Sequence, residues 1–257
     1  MTPWHTTAEL PLTPKSLDAV FDNEVPVVRI KDFCTPDECR AFAAAIAKGR
    51  MQTYRLAPVG YIGTAQVEYR WGHQKSEYFE AAARAWKDWQ DVVNAAWDPL
   101  DRLIRVLSEV SGVPVGVAEE PDFGRLFAGI IRRAPRGIGR HADYAPFNAP
   151  DYQIGKIEAQ LGWNLFLEVP GSGGETILYN RPWNAEVRPG EEPPMSYGLG
   201  DDVIAGAASV RYSARPGDVV IFNSRNPHEV SPGTGGERLQ IGSFIGRQPD
   251  GSLVLWS

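Results

Sequence analysis

The spacing of apolar positions divides the chain into a helix-rich first part and a strand-rich second part. In QKSEYFEAAARAWKDWQDVV, Phe79, Ala82, Trp86, Trp89 and Val92 recur at helical spacing, and Pro99 opens a second helix with the stripe Leu100, Leu103, Ile104 and Leu107. Such stripes predict packing against a sheet, tryptophans included. Upstream, VPVVRI (25–30) reads as a buried strand, with Pro26 near its start where a missing N–H is tolerated. Thr35-Pro36-Asp37-Glu38 reads as a helix start: Thr35 caps, Pro36 suits the first turn and Glu38 completes a capping box, with the helix running to Gly49. From about Pro121 the period changes. FGRLFAGIIRR, LGWNLFLEV, GETILYN, SVRYSA, GDVVIFN and RLQIGSFIG are strand-like and are separated by PRGIG, PGSGG, RPGEEPP, RPGD and SPGTGG. Many short strands with such turns predict a sandwich or a double-sheet barrel of the jelly-roll type. Residues 181–207 hold a Pro/Gly-rich, acidic stretch too long for an ordinary connection, which predicts a functional insertion, a lid or a surface excursion.

Composition narrows the function. The 257 residues suit one domain, a helix-rich support (1–120) and a catalytic core (121–257). A net charge of −6 argues against a nucleic-acid partner, which selects a basic face. No segment is apolar for long enough to span a bilayer, and MTPWHTTAELPLTPK lacks the pattern of a secretory signal, so a cytoplasmic location is expected. Cys34 and Cys39, flanking a helix start, are expected to be core thiols rather than a zinc site or a disulfide framework.

The chemistry-bearing residues lie in the second part. His141 and Asp143 form an H-x-D pair, His228 lies far downstream, and Arg238 follows ten residues later. In a strand, H-x-D puts both side chains on one face. His228, after the strand and turn GDVVIFNSRNP, is placed to enter the same interior. Two imidazoles and a carboxylate can hold a metal on one face and leave the other open, the facial arrangement of non-heme Fe(II) oxygenases. Alternation puts Arg238, Gln240, Gly242 and Phe244 on one face of their strand. A guanidinium pointing inward needs a partner, and a dicarboxylate such as 2-oxoglutarate supplies one. Gln240 is expected to add a hydrogen bond there or to line the pocket.

These residues resemble the Fe(II)/2-oxoglutarate-dependent oxygenase superfamily. WNLFLEVPGSGGETILYNRPWN, RPGDVVIFNSRNPHEVSPG and the closing RLQIGSFIG and LVLWS are similar to the group around the free-standing alkaloid halogenases of the hapalindole and welwitindolinone pathways. The resemblance implies a double-stranded β-helix (a jelly-roll core) braced by helices, an α+β and mainly β fold. It implies Fe(II) held by His141, Asp143 and His228, 2-oxoglutarate anchored by Arg238, and O2 as oxidant. The halogenases have glycine where this chain has Asp143, and that vacancy admits chloride. The carboxylate therefore points to hydroxylation of a small molecule, an amino-acid derivative or natural-product intermediate, or to desaturation or ring closure, and not to halogenation.

Residues expected near the substrate are Ile138, inward if the strand kinks at Gly139; Tyr144 and Phe147, as a lip; and one of Trp163 and Asn164, but not both. The segment 63–73 maps by resemblance to the pocket mouth, with His73 expected at an exposed loop or helix start. Arg125, Arg132, Arg133 and Arg140 suit either an anionic substrate or strand-face salt bridges. A competing class is a cupin-like metal-binding jelly roll without oxygenase activity, which needs no arginine for a dicarboxylate.

Overall fold

The alternation in RLQIGSFIG becomes the organising feature of the molecule. The computed structural model describes residues 3–47, 51–54, 59–70, 73–184 and 196–257. In it, the Leu239–Arg247 strand pairs antiparallel with Ala159–Glu168 on one side and with Ile130–Arg133 and Leu253–Trp256 on the other. The described residues give a ten-stranded sheet that continues from Ala159–Glu168 through Val219–Asn223 to Val27–Ile30 and Leu10–Pro11. Across from Ile130–Arg133 it extends to Gly60–Ile62 and Gln52–Thr53. A second, four-stranded sheet runs in the order Ser209–Tyr212, Thr176–Tyr179, His228–Val230, Ile138–His141. The two sheets form the double-stranded β-helix.

Each face of the large sheet has its own partner. Trp163, Leu165, Ile221, Ile241 and Ile245 share the outer face and pack into one core with Phe42, Tyr78, Trp89, Leu103 and Leu107 from the helices. Val220, Phe222 and Phe166 lie on the inner face, clustered with Leu178 and Tyr212 of the small sheet. Both faces are thus buried, against helices outside and the second sheet inside.

The helices form where the pattern places them. Pro36–Ile46 starts with the expected capping box between Thr35 and Glu38; its expected end at Gly49 lies outside the described residues. Lys75–Ala95 buries Tyr78, Ala82, Ala85, Trp89 and Val92, so the buried stripe is rotated slightly from the expected one and leaves Phe79 and Trp86 half-buried. Pro99–Ser111 is capped by Asp98 and stopped by Gly112 in the left-handed conformation. Among the described residues no helix is long and apolar enough to cross a membrane. Cys34 and Cys39 are both buried, as expected.

One expected strand divides. FGRLFAGIIRR gives Gly124–Arg125 and Ile130–Arg133, with irregular backbone between them. Gly129 causes the break: its φ is +92°, and a Cβ there would sit 2.9 Å from the Trp89 ring. A second glycine sets the approach to the small sheet, because Gly137 has φ +78° and a Cβ there would lie 2.3 Å from the Val230 carbonyl.

Candidate metal centre and cosubstrate pocket

His141, Asp143 and His228 converge at the mouth of a cavity of about 540 Å³ between the sheets. His228 opens its strand directly opposite His141. The four residues Ile138–His141 face the three residues His228–Val230, a bulge that lets Ile138 and His141 both reach the cavity. This is the expected kink near Gly139. The strand ends at His141, so Asp143 is not on a strand face as H-x-D alternation suggests. Its position is set instead by a backbone hydrogen bond of 2.8 Å from its N–H to the Ser224 carbonyl, just before the turn that delivers His228.

The imidazoles are prepared to bind a cation. His141 Nδ1 lies 2.8 Å from the Gly139 carbonyl, and His228 Nδ1 lies 2.9 Å from the Asn226 carbonyl. A carbonyl only accepts, so each Nδ1 carries the proton and each Nε2 keeps its lone pair. Both Nε2 atoms are 3.7 Å from Asp143 Oδ2. Metal bonds of about 2.1 Å place two ligands of one ion at most about 4.2 Å apart, and both separations fall inside that limit. Burial, helped by the neighbouring His141, holds the His228 imidazole well below its ordinary pKa and therefore neutral. Two imidazole nitrogens and one carboxylate are a donor set that fits Fe(II).

A buried cation lines the same cavity. Arg238 is only 1% exposed, yet no described carboxylate pairs with it. Its Nε donates to the Gly174 carbonyl (3.2 Å), its Nη1 donates to Gln240 Oε1, and it sits over the Phe166 ring. Gln240 Nε2 in turn donates to Asn164 Oδ1 at 2.9 Å, so a head-to-tail chain fixes the orientation of both amides. Burial brings the Arg238 pKa down to about 10, which leaves it charged at neutral pH. The buried Tyr212 hydroxyl on the facing sheet has no hydrogen-bond partner among the described residues. An unpaired guanidinium beside an orphaned phenol is a cradle for a carboxylate.

The remaining expected residues separate into those that line the cavity and those that do not. Asn164 is on the inner face with Gln240, whereas Trp163, which the cavity lining also reaches, is anchored on the outer face, 1% exposed, in the helix-packed core. Tyr144 and Phe147, expected as a lip, stack with Arg225 at 4.5 and 5.6 Å and are not among the residues that line the cavity. The chain turns into the short Ala145–Asn148 helix right after Asp143 and carries them away. The 63–73 segment contributes Ala65, Val67, Glu68 and Arg70 to the lining, and His73 pairs with Glu77 at the start of its helix.

Three lining residues escaped the pattern. Tyr54 follows the first strand of a short hairpin, Phe222 faces His228 edge-on, and Tyr197 stacks near His141 with its hydroxyl accepting from the Gly139 N–H. Phe222 had a local signal, its inward place in VVIFN; the tyrosines had none. Part of the long 181–207 stretch, 185–195, lies outside the described residues, but Ser196 and Tyr197 reach the metal end. There Arg140 bridges Asp201 (2.8 Å) and Glu229 (3.3 Å), tying this segment to the strand of His228.

Comparison with known proteins agrees with this geometry. The model of the carrier-protein-independent halogenase WelO5 family matches residues 6–257. The chain belongs to this family. It is 34% identical over 214 residues to the leucinostatins biosynthesis cluster protein S of Purpureocillium lilacinum, covering 78% of this chain and 86% of that one. It is 30% identical over 215 residues to the L-gamma-glutamyl-L-propargylglycine hydroxylase of Streptantibioticus cattleyicolor, covering 78% and 75%. Among solved structures, an N-substituted L-amino acid dioxygenase from Burkholderia ambifaria AMMD shares the fold with a TM-score of 0.66 at 16% identity, over 100% of this chain and 97% of that one.

Proposed function

We propose that this protein is an Fe(II)/2-oxoglutarate-dependent oxygenase that hydroxylates a C–H bond of a free small molecule, an amino-acid derivative or natural-product intermediate. The observation that carries this reading is Asp143 Oδ2, 3.7 Å from both histidine Nε2 atoms, in a cavity also lined by Arg238, which has no carboxylate partner among the described residues. When bound, the ferrous ion with 2-oxoglutarate and O2 supplies an oxidant strong enough to take hydrogen from carbon, with release of succinate and CO2. His141 and His228 present fixed lone pairs, and Asp143 fills the third protein position, leaving no ligand vacancy there for a halide. Arg238, oriented by Gln240, holds the far carboxylate of 2-oxoglutarate so that its keto-acid end faces the metal ligands. Phe222, Phe244 and Ile138 keep bulk water from the reacting carbon. Against the cupin-like alternative stands Arg238, a buried cation such a protein does not need.

Anaerobic addition of Fe(II) and 2-oxoglutarate is the direct test. A weak visible charge-transfer band is expected, and Arg238→Ala or His228→Ala removes it. A small-molecule screen for stimulated succinate release, with mass spectrometry, then reads the outcome. Gain of one oxygen supports hydroxylation, loss of two hydrogens replaces it with desaturation, and a chlorinated product under saturating chloride contradicts the role of Asp143.

A further inference from the structure

The arginines of the catalytic half are nearly all accounted for. Arg125 stacks on Trp86, Arg133 pairs with Glu237, and Arg140 pairs with Asp201 and Glu229. Arg132 differs. It lies in the Ile130–Arg133 strand opposite Gln240, half-buried, and lines the cavity. Among the described residues its one hydrogen bond from the side chain runs from Nε to the Tyr54 hydroxyl at 3.2 Å. Burial holds the Tyr54 phenol above its ordinary pKa, so this partner is neutral. No carboxylate oxygen among the described residues lies within 4.0 Å of Arg132.

The backbone makes room for this group. A Cβ on Gly242 would lie 2.8 Å from Arg132 Nη1 and 2.6 Å from Asn164 Oδ1, so an alanine there would press on the guanidinium. Charge bookkeeping gives the same result. In the loaded site, the ferrous ion, Asp143, the 2-oxoglutarate dianion and Arg238 sum to neutrality. Glu68 and Arg70, which also line the cavity, offset each other. Among the described lining residues one positive charge remains, on Arg132, facing a space from which substrate binding removes water. An unpaired cation is costly in such a space, and an anion that enters with the substrate relieves it.

We infer that Arg132, backed by Tyr54, binds a carboxylate of the substrate, so that the enzyme acts on organic anions rather than on neutral or cationic molecules. This deepens the oxygenase reading and rests on it. Arg132 is a substrate-binding residue that sets specificity, distinct from the cosubstrate anchor Arg238.

The test uses the full chain loaded anaerobically with Fe(II) and 2-oxoglutarate, and the probes are N-acetyl-L-leucine, N-acetyl-L-phenylalanine and L-γ-glutamyl-L-propargylglycine, each beside its primary amides. Perturbation of the visible band gives binding constants, and succinate release under air gives turnover. In the unaltered enzyme, at least one acid is expected to bind roughly 100-fold more tightly than its amide, the scale of a lost charge-assisted fork. Arg132→Met brings acid and amide to parity, Arg132→Lys restores part of the preference, and both keep 2-oxoglutarate affinity within about threefold. The inference is overturned if acids and amides bind equally or not at all, or if Arg132→Met weakens 2-oxoglutarate about 30-fold or more, which would make Arg132 a second cosubstrate anchor. Should the unaltered enzyme show no band, the oxygenase reading itself fails, separately from the role of Arg132.

Discussion

The two faces of the large sheet use the same strands for opposite purposes. On the outer face, Trp163, Leu165, Ile241 and Ile245 meet the helices in a dry core. One residue away along the same strands, Asn164, Gln240 and Arg238 meet a cavity. Both sets are largely withdrawn from solvent. The outer face is complete as folded and stabilises the protein. The inner face carries unpaired charge and is completed by ligands. Burial is therefore a poor guide to stability here: a buried isoleucine contributes to the fold, whereas a buried arginine without a carboxylate partner opposes it.

The largest effects should come from the metal end of the inner face. Replacing His141, Asp143 or His228 by alanine is expected to lower substrate-dependent succinate release by about two orders of magnitude or more, beyond what loss of an outer partner costs. Thermal unfolding of the metal-free protein should change far less. Retention of Fe(II) binding by Asp143→Ala at unaltered affinity would break the assignment of that carboxylate.

Arg238→Met and Ile241→Ala form the sharpest pair. Ile241→Ala should cost about 2–5 kcal/mol in denaturant unfolding and leave 2-oxoglutarate affinity unchanged in the surviving folded protein. Arg238→Met should do the reverse. It leaves the metal-free fold equally stable or more stable by about 1–4 kcal/mol, while abolishing measurable 2-oxoglutarate binding. If Arg238→Met destabilises the protein as much as Ile241→Ala, the division between the faces is wrong. Gln240→Ala should weaken 2-oxoglutarate by roughly tenfold, the worth of one orienting hydrogen bond to a charged group, read from the same titration.

The smallest effect lies on the helical side. Glu38 bonds Arg102 and caps its helix, and Arg102 followed by the Thr35 backbone N–H brings its pKa down to about 2. A carboxyl lowered in the folded state takes up a proton on unfolding in acid. Its contribution is therefore complete above about pH 4.5 and is lost as pH falls toward 2. Glu38→Gln should flatten unfolding free energy over that window, with no change in cosubstrate affinity. The pair is partly exposed and salt will reduce the effect.

Much of this arrangement is legible in local pattern. The Arg238, Gln240, Gly242, Phe244 alternation is preserved in the structure because a paired strand cannot change its period without a bulge. The choice between Trp163 and Asn164 needed the neighbours: only pairing with Leu239–Arg247 shows that Asn164 shares the face of Gln240. Strand alternation does not account for Asp143 standing near His141: the strand ends at His141, and a hydrogen bond to Ser224 positions the aspartate. Tyr144 and Phe147 are outside the cavity lining because the chain enters a short helix just after Asp143, which no local pattern announces.

Residue identities alone determined the donor set, the buried arginine, the helix caps and the jelly-roll character, since each follows from side-chain chemistry or from a period of two or of 3.6 within one short segment. The tertiary structure decided which face of each strand meets the helices, that Tyr54 and Tyr197 reach the cavity, and that Arg132, alone among the surplus arginines, lines the cavity, with no acid partner among the described residues. These depend on contacts between segments far apart along the chain, and no local period carries that information.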